Sequence, residues 1–283
     1  MDSLDRTQSA LAYAEQVSQV EKAMLTMEQV ECPVVHHFGP GVYIREVTIP
    51  EGATVIGHYH KHPHMSIMLS GRLSIVNEDG TQTEFIAPQT LHCAAGRKIA
   101  IVHETVIWQN VYATDETDVA TLEQKLLEKS VNWNGHLLEK SKEDCTEDQA
   151  DFLLAIAEYG FDAETVRFLS ENEIDQIPMP RGSYKIVIAD SDREGKGMFA
   201  TGDFVPEEPI APGRIAGMRT PAGRYTNHSK NPNARFVLLD NGDVVLIADK
   251  EIYGCKGGEN GEEITVDYRQ ALSLAKENLI CQQ

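Results

Sequence analysis

Residues 34–112 hold short runs rich in apolar and β-branched residues: VYIREVTI, MSIMLSG, LSIVNE, TEFIA, KIAIV and TVIWQNVY. Turn-forming stretches such as FGPG, PEG, NEDG and APQ separate them. This alternation constrains the fold more than any other feature of the chain. Val, Ile, Thr and aromatic side chains suit a pleated, half-buried surface, and Gly and Pro interrupt it at intervals too short for crossover helices. The spacing predicts an antiparallel sandwich or barrel. A second β-rich block begins with YKIVIADS and continues through GMFA, FVLLD and DVVLIAD, with Asn241 and Gly242 placed to turn the last two runs into a hairpin.

Helical periodicity surrounds these blocks. In residues 5–31, Leu11, Val17, Val20, Met24 and Met27 recur near helical spacing, and Pro33 closes the segment. TDETDVATLEQKLLEKS (114–130) predicts a helix that closes the first block, with Trp133 as an anchor on the surface of that block. An acidic stretch then carries FLLAIAEY, a Thr146/Gln149 capping pair and a second cap at Asp162, which together predict a helical hairpin ending at IPMPRG. The expected division is an amphipathic helix over 1–33, a β-barrel with a closing helix over 34–140, an acidic helical linker over 141–183 and a second β domain over 184–283. At 283 residues, more than one domain is the natural expectation. The fold class expected is mainly β with helical segments.

Composition acts mostly by exclusion. Lys and Arg number 25 against 44 Asp and Glu, a net charge of −19, and no basic stripe stands ready to neutralise phosphates. No nucleic-acid partner is expected. No apolar run approaches the ~18 residues of a membrane span, and MDSLDRTQSA lacks the apolar core of a secretory signal, so no membrane partner and a cytoplasmic residence are expected. The five cysteines are scattered without a Cys-x-x-Cys pair, which suits reduced thiols.

Within GATVIGHYHKHPHMSIMLSG (52–71), His58 and His60 lie two residues apart, so on a strand they face the same side, with His64 beyond the next turn. The spacing resembles the first histidine motif of the cupins, with His64 where glutamate is usual. PQTLH (88–92) stands where the second motif would be, one residue short and without its glycine, and the resemblance makes His92 a fourth ligand. It implies a cupin-type β-barrel. Two readings stay open: one transition metal (Zn, Ni, Fe or Mn, among which imidazole alone does not choose) on His58, His60, His64 and His92, or a metal-free barrel with hydrogen-bonded histidines. His36, His37 and His103 read as structural.

The second β block carries EGKGMFA, with Gly195 and Gly197, then RYTNHSKNPN (224–233) and GEEITVDY (261–268). The Gly-x-Gly is not a dinucleotide fingerprint, because no third glycine follows and no βαβ pattern surrounds it. In this order the motifs resemble those of the SET-domain protein-lysine methyltransferases, over residues 184–271. The resemblance implies a β-fold in which the last strand passes beneath the Asn-His-Ser loop as a pseudoknot. It also implies S-adenosylmethionine as cofactor, bound by Gly195, Gly197, Tyr225, Asn227 and His228, and a lysine-bearing protein as substrate. Tyr268 would be the catalytic phenol. A lysine near its reference pKa of ~10.4 must shed its proton before attack, and a narrow, desolvated channel favours that.

Between FVPEEPI and RYTNHS stands only APGRIAGMRTPAG, shorter than the insert that walls the peptide groove in the family. A wall from the barrel or from a partner subunit is expected, hence a homo-oligomer assembled through the barrel, the helical hairpin and the N-terminal helix. The whole arrangement resembles cupin–SET proteins of tailed bacteriophages, which implies action in the host cytoplasm or the virion. Competing functions are an inactive structural or virion-associated oligomer, and a metal-dependent cupin using the SET part as a binding module.

Overall fold

The computed structural model describes residues 3–77, 79–133, 146–257 and 259–281. The chain is mainly β, in several antiparallel sheets with helical segments between them. Strands Val34–Gly39, Val42–Ile49, Ile99–Ala113 and His64–Val76 form the body of the largest sheet. His64–Val76 pairs through its first half with Gln89–Cys93 and through its second half with Gln82–Ile86. Register shifts against Ile99–Ala113 bend it near Gly71, where φ is 86°. A side chain at this position would meet the Thr105 carbonyl oxygen at 2.3 Å, so the bend requires glycine. The sheet thus curls around an apolar interior of Ile49, Met68, Leu73, Val102 and Val106.

Helix α1 (Ser3–Met24) stops short of the expected residue 31. The Gln29 side-chain amide donates to the Met24 and Met27 carbonyls at 2.8 and 3.0 Å, ending the helix. Its last turns lie on the barrel mouth, with Val17 and Glu21 buried. Helix α2 (Val119–Leu126) is also shorter than its pattern. Asp118 caps it by accepting from the Thr121 N–H at 2.9 Å. Upstream, the Asp115 carboxylate accepts from the Gly41 N–H at 2.9 Å, which ties 114–117 to a strand turn instead. The 140/141 boundary lies outside the described residues. Helices α3 (Thr146–Glu158) and α4 (Ala163–Glu171) make the expected hairpin, with Asp162 accepting from the Thr165 N–H at 2.7 Å. The Thr146 cap lies outside the described side chains.

Gly182–Tyr184 joins the barrel's sheet beside Val34–Gly39 before the chain passes to Ile186–Asp190. One C-terminal sheet runs Ile186–Asp190, Lys196–Ala200, Glu263–Val266, Asn227–His228. The other runs Met218–Arg219, Pro209–Ile215, Val244–Ala248, Ala234–Leu238, with Asn241 and Gly242 in the hairpin turn between the last two. Short helix α5 (Pro221–Tyr225) leads into the Asn-His-Ser loop, and α6 (Tyr268–Cys281) comes after the last strand. One apolar cluster holds Phe38, Tyr43, Tyr112 and Leu122 together with Ile186, Met198, Phe204, Leu246 and Ile264. Barrel and C-terminal sheets therefore share a core.

Candidate functional site

The two motif segments meet through their main chains. Asn227–His228 pairs in parallel with Thr265 and Val266, and the Ser229 N–H donates to the Val266 carbonyl at 3.0 Å. Asn233 clamps the crossing: its side-chain amide donates to the Glu263 carbonyl at 2.9 Å, and its Oδ1 accepts from the Thr265 N–H at 2.8 Å. A buried loop must satisfy its backbone polar groups, and a polar NHS…N segment against a strand does so where apolar residues could not.

Gly197 and Asn227 converge on Glu263. Gly195 takes φ of 52° to turn the loop between Ile186–Asp190 and Lys196–Ala200. A side chain at Gly197 would fall 2.2 Å from Glu263 Oε1, so this glycine makes room for that carboxylate. Glu263 accepts from Ser191 Oγ and Asn227 Nδ2, both at 2.8 Å, and pairs with Arg193 Nε at 3.2 Å. The Asn227 amide also faces the Glu194 and Lys196 carbonyls at 3.3 and 3.2 Å.

His228 is buried, and its Nδ1 accepts from the backbone N–H of Tyr268 at 3.1 Å. Its proton therefore sits on Nε2, which donates to Asp151 Oδ2 at 3.0 Å. Tyr268 donates its hydroxyl to the Thr226 carbonyl at 3.2 Å. Burial, with Glu263 and Glu194 nearby, pushes its phenol up to about 12, so it stays protonated at neutral pH. Tyr225 packs against the shared core with the Arg224 guanidinium 5.0 Å over its ring. The structure thus brings Gly197, Asn227, His228 and Tyr268 to one crossing, with Gly195 in the turn before Lys196–Ala200 and Tyr225 on the core side of α5.

Helix α3 lies across the same crossing, a placement that no motif signalled. Asp148 accepts from Ser229 Oγ at 3.1 Å and the Lys230 N–H at 2.9 Å, and pairs with Arg193. Asp151 receives both Nη atoms of Arg269 at 2.9 and 3.2 Å besides His228. These bonds hold the Asp151 carboxyl below its usual range, Arg269 contributing most. Phe152 stands edge-on to Tyr268 with ring centroids 5.8 Å apart. Acidic composition announced charge in this linker but could not say which loop the charge would meet.

A cavity of about 760 Å³ opens beside Tyr268. Ile156, Phe161, Val166 and Leu169 of the hairpin wall one side, and Arg214, Arg224 and Thr226 stand opposite. Arg224 Nε and Nη1 are buried without a hydrogen-bond partner. An unpartnered guanidinium here fits a carboxylate-bearing ligand such as S-adenosylmethionine.

The barrel histidines are arranged differently from the expected metal set. His60 Nδ1 bonds Tyr112 Oη at 2.7 Å, and His64 Nδ1 donates to the His62 carbonyl at 3.1 Å. The His60 and His64 rings stack with centroids 4.3 Å apart and planes 20° apart. Imidazole lone pairs lie in the ring plane, so two nearly parallel stacked rings cannot both aim at one ion. His58 packs edge-on against Trp133, and His92 is exposed on Gln89–Cys93 opposite Met65. Among the described residues no three His, Cys, Asp or Glu side chains gather as a metal-binding group. These four histidines do not fit a metal centre. Burial instead keeps His58 and His60 neutral, pushing them down to about 4 and about 3.

The SET domain family matches residues 83–269, more than half of the chain and all three motifs, and the chain belongs to that family. Its members are typically S-adenosylmethionine-dependent methyltransferases acting on protein lysine. The match begins within the barrel, whereas the strands carrying the motifs begin at Ile186. Similar solved structures include a cupin-family protein with a double-stranded β-helix fold from Methanocaldococcus jannaschii, 18% identical, covering 30% of this chain and 84% of that one with a TM-score of 0.25. Another is a cupin domain from Bordetella pertussis, 14% identical, covering 31% and 98% with a TM-score of 0.26. Among curated proteins none matches. No described helix is long and apolar enough to cross a membrane.

Proposed function

We propose that this protein transfers a methyl group from S-adenosylmethionine to a lysine of a protein substrate, with Tyr268 as the catalytic phenol. The carrying observation is the parallel pairing of Asn227–His228 with Thr265 and Val266, which sets Tyr268 at the mouth of the cavity lined by Arg224. Asn227 and the Gly195–Gly197 turn hold the cofactor's adenosyl portion, and Arg224 takes its carboxylate. The bound sulfonium supplies the methyl group. Tyr268 remains protonated and gives its hydroxyl hydrogen to Thr226, so its oxygen lone pairs face the incoming amine and the methyl. It orients without accepting the amine's proton. Positioning of this kind supplies much of the rate in a displacement reaction. The α3–α4 hairpin, acidic except for Arg167 in its helices, walls the groove that the short 211–223 segment leaves open and suits a basic, lysine-bearing segment. The wall comes from the same chain, so transfer does not depend on a second copy supplying it.

Calorimetric titration with S-adenosylmethionine tests the reading. Wild-type protein binds, Asn227→Ala binds several-fold more weakly on the scale of about 0.5–1.5 kcal/mol for a hydrogen bond between neutral groups, and Tyr268→Phe binds normally but transfers nothing. Absence of binding at millimolar cofactor would overturn it.

A further inference from the structure

Strand Val42–Ile49 turns Tyr43, Arg45, Val47 and Ile49 to the barrel interior, because alternate residues of a strand share a face. Arg45 is the one cation in that column. Across the sheet it lies beside His36 on one side and Asn110 on the other, and Asn110 lies beside Ser66. A polar layer thus crosses four strands, with Phe38, Tyr43 and Tyr112 in the layer to one side and Val34, Val47 and Trp108 to the other. Its other members are occupied. His36 bonds Tyr43 Oη at 2.8 Å, and Asn110 Oδ1 accepts from Ser66 Oγ and Trp108 Nε1 at 3.1 and 3.0 Å.

Arg45 has no such partner. Its Nε is buried without a hydrogen bond, and among the described residues it forms no ion pair. The nearby carboxylate of Glu123 is taken by Lys129 at 3.1 Å. The residue is half-buried and only its Nε is withdrawn from water, so the guanidinium keeps donors free for an anionic ligand that enters the barrel. Beside Arg45 lies a cavity of about 270 Å³, lined by His58, His60 and His64 on its polar side and by residues such as Leu73 and Trp108 on its apolar side. His58 Nδ1, a second buried nitrogen without a partner, lines the same space. The mouth is closed by α1 through the Glu21–Arg97 ion pair.

We propose that the barrel encloses a binding site for a small organic carboxylate, gripped by the Arg45 guanidinium, with its apolar body against Leu73 and Trp108. The planar fork of arginine matches a carboxylate through two parallel hydrogen bonds. Of the three cations that line the cavity, Arg97 is paired with Glu21, while Arg45 and Lys98 have no carboxylate partner among the described residues, so the lining favours an anion, and the cavity's size restricts the ligand to a small molecule. The site is independent of the methyl-transfer reading, since none of its groups touches Asn227, His228 or Tyr268.

The test uses the full chain, with thermal shift and calorimetry against acetate, 2-oxobutyrate and benzoate, and benzamide as the uncharged isostere of benzoate. At least one carboxylate raises Tm with concentration while benzamide does not. Arg45→Met loses that response, yet its ligand-free Tm equals or exceeds that of wild type, because a half-buried guanidinium without an ion pair has been replaced by an apolar side chain. A merely structural Arg45 would give a lower Tm instead. Arg45→Lys keeps the charge but not the fork and weakens binding roughly tenfold. Should Arg45→Met fail to fold, the wild-type panel and Arg45→Lys decide. No response to any carboxylate, an equal response to benzamide, or an undiminished response in Arg45→Lys overturns the proposal. So does stoichiometric Zn²⁺ or Ni²⁺ binding that abolishes the carboxylate response.

Discussion

Asp151 stands between Arg269 and the Nε2 proton of His228, so one carboxylate fixes both the imidazole's tautomer and the start of α6. Its pKa is held below the ordinary 3.8, chiefly by Arg269 and then by the hydrogen bond from His228. A carboxyl whose folded-state pKa is lowered contributes stability that is present above its unfolded value and lost as pH falls through the folded one. Asp151→Asn should therefore lower Tm at neutral pH, and the gap from wild type should close as the solution is taken below 3.8. Melting curves across that window check it; a gap independent of pH would assign the effect to packing. Glu263 plays the corresponding role for Asn227, and only the space beside Gly197 admits it. The motif contained both residues, but their contact depends on how two distant strands align.

Helix α3 reads from sequence as a spacer, yet it reaches the site with three residues of one helical face, Asp148, Asp151 and Phe152. Residues three and four apart share a helix face, and here that face covers the Asn-His-Ser loop while Ile156 turns into the cavity beside Tyr268. Phe152→Ala removes an edge-to-face ring pair, costing about 0.5–1.5 kcal/mol of stability beyond lost burial. It should also lower methyl transfer more than it lowers cofactor affinity, because the ring touches Tyr268 and not the Gly195–Gly197 turn. Single-turnover rates alongside calorimetry separate the two effects. Equal losses in both would place the helix in cofactor binding instead.

Over the whole molecule, the shared apolar cluster makes the barrel and the C-terminal sheets interdependent. Phe38, Tyr43, Tyr112 and Leu122 cover one side of Ile186, Met198 and Phe204, and the backbone adds Val34 N–H to the Thr201 carbonyl at 2.6 Å. A fragment of about a hundred residues buries only a modest fraction of its surface even when complete. Cut off at residue 184, this one would also expose that cluster. The isolated 184–283 fragment should not fold, as judged by near-ultraviolet circular dichroism, whereas the full chain should lose barrel and SET signals in one transition. A folded, active fragment would refute the interdependence.

The sequence by itself determined what rests on local pattern. Alternating apolar runs dictated strands, Asp162 dictated a helix start, Asn241 and Gly242 dictated a hairpin, and the ordered motifs identified the SET family. These are decided by propensity and by hydrogen bonds a few residues apart. Tertiary structure alone decided how α3 meets His228, that Arg45 faces inward without an ion pair among the described residues, and that His60 and His64 stack instead of converging. Spacing places two histidines on one strand face, but ring orientation is set by what each nitrogen bonds, and Tyr112 and the His62 carbonyl lie in other segments. The start of α2 moved for the same reason: Asp115 spends its carboxylate on the distant Gly41 N–H, whereas α1 ends on a local competition, the Gln29 amide bonding the Met24 and Met27 carbonyls.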